Sequence, residues 1–348
     1  MSSTPLGFAI VGTGMIANFH AQAIAQTPGA RLAGLVSRSP DKAKEFAAKH
    51  SIPLVVPTVE ELCRQPGIDV VSVATPSGAH LEPALAAIAA GKHLVIEKPL
   101  EITPERADRI ISAAEKSGVK AAAIFQGRFG AGAQKVKAAI AASRLGRLVL
   151  ASACIKWHRP ASYYTGWKGL LALDGGAVLI NQSIHGLDLL QWFAGLPEEV
   201  FCLTTRRVHT GIEGEDTAAA TLRFPDGALG AIEATTAAWP GWSRRIEICG
   251  EHGSICLEDD NIVRWDFAKA EPGDDAIRNA GPDNALGSGA GNPSAISTVG
   301  HQRQIQDLVE AIRDNRAPAI DIREGRKAVA LVHALYTSAK TGRPVSLA

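Results

Sequence analysis

The sequence predicts an α/β protein of two domains: a parallel-sheet domain over residues 1–125, then an α+β domain over residues 126–348 with a large, open, mainly antiparallel sheet. Three observations predict it. A buried strand, Leu6 to Val11, runs directly into Gly12-Thr13-Gly14-Met15-Ile16-Ala17, which opens a helix. Apolar strand-like runs then alternate with helical patterns up to about Phe125, the signature of a parallel sheet covered on both faces. Beyond Gly127 the rhythm changes to long consecutive strands, and turns as short as Pro225-Asp226-Gly227 indicate antiparallel pairing.

After the glycine loop, strands are expected at Arg31 to Val36, Leu54 to Val56, Asp69 to Ala74, His93 to Ile96 and Val119 to Ile124. Helices fill the gaps, notably Glu82 to Ala90 and Pro104 to Ser117, the latter with Thr103 as N-cap and a proline in its first turn. In the second domain a helix from Ala133 to Ala142 leads to strands at Arg147 to Trp157, Val200 to Val208, Thr217 to Phe224, Leu229 to Thr236 and Arg245 to Cys249. Two further helices, Val178 to Trp192 and His301 to Arg313, are expected to cover one side of that sheet. The segments Ala218 to Leu222 and Leu229 to Ala234 mix small and apolar residues on both strand faces, so the uncovered side is expected to need a second copy, giving a homodimer or homotetramer. Glu271 to Ser297, rich in Gly, Asn, Asp, Ser and Pro, is either a mobile surface segment or a flap.

Composition excludes several classes. With 36 basic and 35 acidic residues the formal charge is +1, which provides no field for a polyanion, so nucleic acid is not an expected partner. No apolar run approaches the ~18 residues of a membrane span, and a first strand at Leu6 leaves no room for a signal peptide, so a cytoplasmic location is expected. The five cysteines show no Cys-x-x-Cys spacing and read as reduced core residues, without disulfides or structural zinc.

The chemistry starts at the glycine loop. Gly12 permits a tight turn, Gly14 lets the backbone approach phosphates, and Ala17 is small enough for close helix packing; Thr13, Met15 and Ile16 complete a pyrophosphate cradle of the Rossmann type. The second strand ends in Ser37-Arg38, where an acid would hold an adenosine 2'-hydroxyl; a hydroxyl followed by a guanidinium suits a 2'-phosphate, which favours NADP over NAD unless Arg38 stacks on adenine or points to solvent. Thr75, Pro76 and His80 end the fourth strand on the ligand-binding edge, although His80 equally suits a cap of the following helix. Glu97-Lys98-Pro99 puts an ionisable lysine where a buried strand ends beside the dinucleotide, which makes Lys98 the first catalytic candidate. In the second domain the spacing places Asn181, His185 and Asp188 on one face of an apolar helix, where each needs a specific partner. A metal is not expected, because no second acid or histidine cluster of matching spacing accompanies His185 and Asp188. Arg128, Arg159, Tyr163, Tyr164 and Trp167 suit the walls of a sugar pocket, aromatic faces for C–H faces and arginine for anionic groups, and they suit core or interface positions as well; His301 and Arg303 stand behind them.

Taken together, Gly12-Thr13-Gly14-Met15-Ile16-Ala17, Thr75-Pro76-Ser77-Gly78-Ala79-His80, Glu97-Lys98-Pro99 and the Asn181 to Asp188 helix resemble, in order and spacing, the glucose-fructose oxidoreductase, inositol dehydrogenase and MocA family of NAD(P)-dependent oxidoreductases. Lys156 to Tyr164, Trp167-Lys168-Gly169 and Asp174-Gly175-Gly176 look similar to the branch containing UDP-N-acetylglucosaminuronate 3-dehydrogenases. The resemblance implies a dehydrogenase or reductase of a sugar, cyclitol or sugar derivative, at C3 in that branch. It also implies that Lys98 contacts the reacting hydroxyl and nicotinamide ribose, and that His185 takes the hydroxyl proton as hydride leaves carbon. A histidine exchanges protons near neutrality and a neighbouring lysine favours an alkoxide, which agrees. Many inositol dehydrogenases carry aspartate where this chain has Asn181, so Asn181 is expected to orient substrate by hydrogen bonding; Asp188 either orients the imidazole or pairs with a basic residue. Two other functions share these features: glycoside cleavage through transient oxidation by tightly held NAD, and a non-catalytic dinucleotide sensor.

Overall fold

The computed structural model describes residues 4–281, 285–291 and 297–347. The chain divides into two compact units: one takes the chain up to Gln126 and again Thr298–Arg326, the other takes Gly127–Ser297 and the chain from Lys327 onward.

The first unit is built from β1 (Leu6–Val11), α1 (Met15–Gln26), β2 (Ala30–Val36), α2 (Pro40–His50), β3 (Val55–Val56), α3 (Val59–Cys63), β4 (Val70–Val73), α4 (Leu81–Ala89), β5 (His93–Ile96), α5 (Pro104–Ser117) and β6 (Ala121–Ala123). Its six strands run in the order β3-β2-β1-β4-β5-β6, all parallel. Strand order reverses between β1 and β4, which is the switch point where such sheets take ligands at their carboxyl ends. Continuous apolar strands serve this arrangement because both sheet faces are covered: all four residues of β4 and Phe8 to Val11 of β1 are buried. Thr103 caps α5 by accepting from the Arg106 amide at 3.3 Å.

The second unit starts with α6 (Ala131–Ala141), β7 (Leu148–Lys156) and the single turn α7 (Leu171–Asp174), then a π-helical turn, Val178–Ser183, which passes into α8 (Ile184–Ala194). Next come β8 (Glu199–Thr205), β9 (Thr217–Arg223), β10 (Leu229–Thr235), β11 (Arg245–Gly250), β12 (Gly253–Glu258), β13 (Asn261–Phe267) and the short α9 (Asp274–Arg278). The chain ends with α10 (Val299–Arg313) in the first unit, α11 (Ile322–Thr341) and β14 (Val345–Ser346). The eight-stranded sheet has the order β13-β12-β11-β7-β10-β9-β8-β14 and is antiparallel except where β7 meets β10.

Four expectations need correction. The helix expected at His301 to Arg313 does not cover the second sheet: Ile305, Leu308 and Val309 of α10 share one core with Phe8, Ile10, Ala21 and Ile24. The small residues Ala17 and Ala21 on α1 admit that apolar stripe closely, so residues 298–326 return to the first unit instead of extending a 126–348 domain. Strands β9 and β10 do not mix burial on their two faces; they alternate, with Ala218, Ala220, Leu222, Ile232 and Ala234 inside and Ala219, Thr221, Arg223, Leu229 and Glu233 outside. Alanine fits either face, which hid the period of two. Val178 to Trp192 is not one α-helix, because its first six residues form the wider π turn. The Glu271 to Ser297 stretch contains α9, anchored by Asp274, whose carboxylate takes both Arg144 terminal nitrogens at 2.8 Å and Trp265 Nε1 at 2.7 Å; residues 282–284 and 292–296 lie outside the described residues. Strands β12 and β13 and helix α11 have no counterpart among the sequence expectations.

Candidate active site

At the carboxyl edge of the parallel sheet, β1 ends in a loop that only glycine can make. Gly12 has φ +115°, and a Cβ there would fall 2.6 Å from the Ala74 carbonyl oxygen. Gly14 is the N-cap of α1, with no side-chain cap, no acid in the first turn, and nothing within 4 Å of where a Cβ would project. Open space at an uncapped, positive helix end fits a dinucleotide pyrophosphate. Thr13 and Ile16 are half-buried beside it, Met15 is exposed and Ala17 is buried against the core.

After β2, Ser37 Oγ accepts from the Ser39 amide at 3.2 Å and Arg38 is exposed. Thr75 Oγ1 donates to the Ala79 carbonyl at 2.9 Å, closing the loop that carries Pro76. His80 neither caps α4 with its side chain nor opens onto the edge: its ring is buried, with Nδ1 2.9 Å from the Pro99 carbonyl oxygen and Nε2 3.0 Å from that of Thr75. Burial pushes its imidazole below the ordinary histidine value, against the opposing charge of Glu101 and Glu97.

From Leu94 to Glu101 every residue is buried except Lys98, which is half-buried. Glu97, expected as a cofactor contact, turns inward instead: Oε1 meets His20 Nε2 at 2.8 Å and Oε2 accepts the Lys98 amide at 2.9 Å. Burial alone would push this carboxyl up, but the bonded His20 and the charge of His301 outweigh it and hold Glu97 well below the usual carboxylate range. His301, expected near a substrate pocket, is fully buried with Nε2 3.4 Å from the same Glu97 oxygen, while Arg303 is exposed. The participation of His20 was not anticipated; its signal was a histidine on the buried face of α1.

A matching pattern stands in the second unit. From Gly176 to Gln191 every residue is buried except His185, which is half-buried in the first turn of α8. The start of that run is tightly packed: a Cβ on Gly176, at φ +155°, would fall 2.1 Å from the Tyr336 hydroxyl. Asn181 donates to Asp174 Oδ1 at 2.6 Å and accepts from Gln182 Nε2 at 3.1 Å, and Asp174 Oδ2 takes the Gly169 amide at 2.8 Å. Asn181 and Asp188, expected to share one face with His185, are therefore held by different partners, since Asp188 is gripped by Arg128 at 2.8 and 2.7 Å. Asp188 thus takes the ion-pair role of its two expected roles.

The same pair corrects Arg128 as a pocket wall: buried against Trp192, its guanidinium needs the carboxylate as compensation. Arg159 is also fully buried, donating to the carbonyls of His158, Gly289 and Ala290 and to Gln182 Oε1 at 2.7 to 2.9 Å. It clamps the 289–290 segment. Tyr163 is half-buried, its hydroxyl accepting from Gln182 at 2.6 Å and its ring 3.5 Å from the Lys168 ammonium, while Tyr164 meets Thr236 at 2.7 Å and Trp167 is half-buried. Gln182 and Asp174, which organise this network, were not singled out from sequence, although Asp174 lies in the Asp-Gly-Gly motif.

The family described as "Oxidoreductase family, NAD-binding Rossmann fold" matches residues 6–125, and the "GFO/IDH/MocA C-terminal domain" matches residues 133–256. The crystal structure of the WlbA dehydrogenase from Bordetella pertussis, in complex with NADH and UDP-GlcNAcA, superposes with a TM-score of 0.90 at 31% identity, covering 100% of this chain and 99% of that one. The D-glucoside 3-dehydrogenase of Escherichia coli is 27% identical over 100% of this chain and 99% of its own length. The myo-inositol 2-dehydrogenase of Thermotoga maritima is 25% identical over 97% of each chain.

Proposed function

We propose, from the premise that the chain belongs to the GFO/IDH/MocA oxidoreductase family, that it interconverts a secondary alcohol and a ketone at C3 of a sugar uronate carried on a nucleoside diphosphate. The observation that carries this reading is the pair of runs in which Lys98 and His185 are the only residues not buried. Similarity over full length to a structure holding UDP-GlcNAcA supports the substrate class. No helix among the described residues is long and apolar enough to cross a membrane, which agrees with the proposed cytoplasmic location.

When bound, the nicotinamide supplies a hydride acceptor in one direction and a donor in the other. Lys98 brings a positive charge that favours the alkoxide-like state of the reacting oxygen. His185 holds or releases the hydroxyl proton, a task suited to imidazole near neutral pH. Asn181, locked by Asp174 and Gln182, contributes a fixed amide for orienting substrate. Arg38, exposed at the end of an acid-free β2, supports use of NADP as well as NAD.

A panel of UDP-uronates, UDP-hexoses, free glucosides and inositols, assayed with both cofactors by nicotinamide absorbance, tests the substrate. On the turned-over compound, K98M and H185A are each expected to lower kcat by roughly two to four powers of ten; near-normal kcat in either would remove that residue from the chemistry. Titration of R38A with both cofactors tests their discrimination: NADP binding should weaken by roughly 1.5–3 kcal/mol more than NAD binding if the guanidinium contacts the 2'-phosphate. Equal losses would show that Arg38 does not read it.

A further inference from the structure

The main chain is gripped on both sides of Lys98. Its own amide N–H donates to Glu97 Oε2 at 2.9 Å, and one residue later the Pro99 carbonyl oxygen lies 2.9 Å from His80 Nδ1. Each gripping side chain is anchored in turn. His80 Nε2 lies 3.0 Å from the Thr75 carbonyl oxygen, so the ring sits between the ends of β4 and β5 and, with one N–H when neutral, donates to one of the two carbonyls. Glu97 Oε1 meets His20 Nε2 at 2.8 Å, and His20 Nδ1 meets the Ser72 hydroxyl at 2.7 Å, so a chain of contacts runs from β4 through α1 to the lysine amide.

The titratable groups facing Glu97 are His20 from α1, His80 before α4, His301 from α10 and Lys98 beside it; the three histidines are buried and Lys98 is half-buried. Two histidines and a carboxylate this close also invite a metal reading, since their ligand atoms lie within 4.8 Å of one another. The 2.8 Å between His20 and Glu97 argues against it. Two ligands on one tetrahedral ion, each about 2.0–2.1 Å from it, stand roughly 3.3 Å apart, whereas 2.8 Å is the length of a shared proton.

We propose that Glu97 and His80 are positioning residues for Lys98: they fix the backbone on either side of it. Neither is a ligand of cofactor or substrate, since both are buried beneath the edge they support. The inference rests on the catalytic role of Lys98 proposed above. A reacting group displaced by about 1 Å loses on the order of a hundredfold in rate, so backbone restraints at this turn act on kcat and leave ground-state binding alone.

The test uses the full chain with E97A, E97Q and H80A, and K98M as reference. It reads kcat, KM, melting temperature and the NADH dissociation constant by nicotinamide fluorescence. E97A and H80A are expected to lower kcat by about tenfold or more, with KM and NADH affinity within about threefold of the parent. E97Q keeps a side-chain oxygen for the Lys98 amide, so it should recover most of kcat. H80A carries the test if E97A does not fold. Loss of NADH affinity in step with kcat would make these residues cofactor ligands and overturn the proposal. Normal kcat in folded E97A and H80A, with K98M inactive, would overturn it while sparing the catalytic reading. Full activity of K98M would end both. Stoichiometric zinc in the purified protein, lost in E97A, would replace the proposal with a metal site.

Discussion

Arg128 and Asp188 meet 60 residues apart in sequence, and neither is legible alone, because a guanidinium suits a substrate anion and a core carboxylate equally well. Burial decides between them: side chains 3% and 1% exposed are out of reach of water, so each is the other's compensation. Removing one partner strands a buried charge, and D188A is expected to cost about 3–5 kcal/mol in urea unfolding, while the R128M/D188L double variant should recover most of it. A loss below 1 kcal/mol for D188A would show that water compensates the arginine. Gly12, Lys98 and His185 were legible for the opposite reason, since each is a residue type that its surroundings do not otherwise call for: a glycine between strand and helix, a lysine ending an apolar strand, a histidine in an apolar helix.

Among the elements, the parallel strands were legible because continuous apolar runs bounded by glycine and polar residues match strands buried on both faces. The π turn Val178–Ser183 was not, because its composition is that of the α-helix it leads into; what widens it is its surroundings, with the Leu179 amide held by Glu215 at 2.8 Å and that of Ile180 near the Tyr336 hydroxyl at 3.3 Å. Strands β12 and β13 escaped because their apolar runs are short and bounded by charge, Glu258 to Asp260 after Ile255-Cys256-Leu257 and Arg264 between Val263 and Trp265, and α11 because its β-branched valines read as readily for a strand. The glycine loop allows a clean dissection of fold from binding. G12A must push against the Ala74 carbonyl and adopt an unfavourable φ, so both melting temperature and NADH affinity should fall. G14A enters open space, so stability should stay within about 1 kcal/mol of the parent while NADH binding weakens as the methyl occupies the phosphate approach. Equal destabilisation by the two variants would contradict this account.

For the whole molecule, the outward face of the large sheet remains the feature most in need of a partner. Leu150, Leu203 and Leu229 are 45%, 60% and 56% exposed, with Leu150 and Leu229 side by side in the β7/β10 register and Leu203 opposite Ala219. Leu203 shares its row with Ala219 and Glu233, away from the Leu150–Leu229 pair, so the exposed leucines are spread over the face; large exposed apolar side chains on an uncovered sheet face suit an association surface, and self-association through it is the simplest arrangement. Sedimentation at micromolar concentration is expected to give a dimer or tetramer, and L203E to shift it toward smaller species; a single species at the monomer mass of 36.5 kDa would rule out the association.

The return of α10 to the first unit also constrains how the protein is made. Phe8, Ile10, Ala21 and Ile24 emerge early from the ribosome, yet the apolar residues that complete their core, Ile305, Leu308 and Val309, follow almost three hundred residues later. During that interval residues 127–297 of the second unit are synthesised while the first is an unfinished domain with an uncovered apolar face, a species of the kind chaperones bind. A fragment ending near Gln126 therefore contains every phosphate-loop residue and still lacks one wall of its own core, so it should be recovered largely as aggregate unless residues 298–326 are supplied in trans or joined to it by a linker.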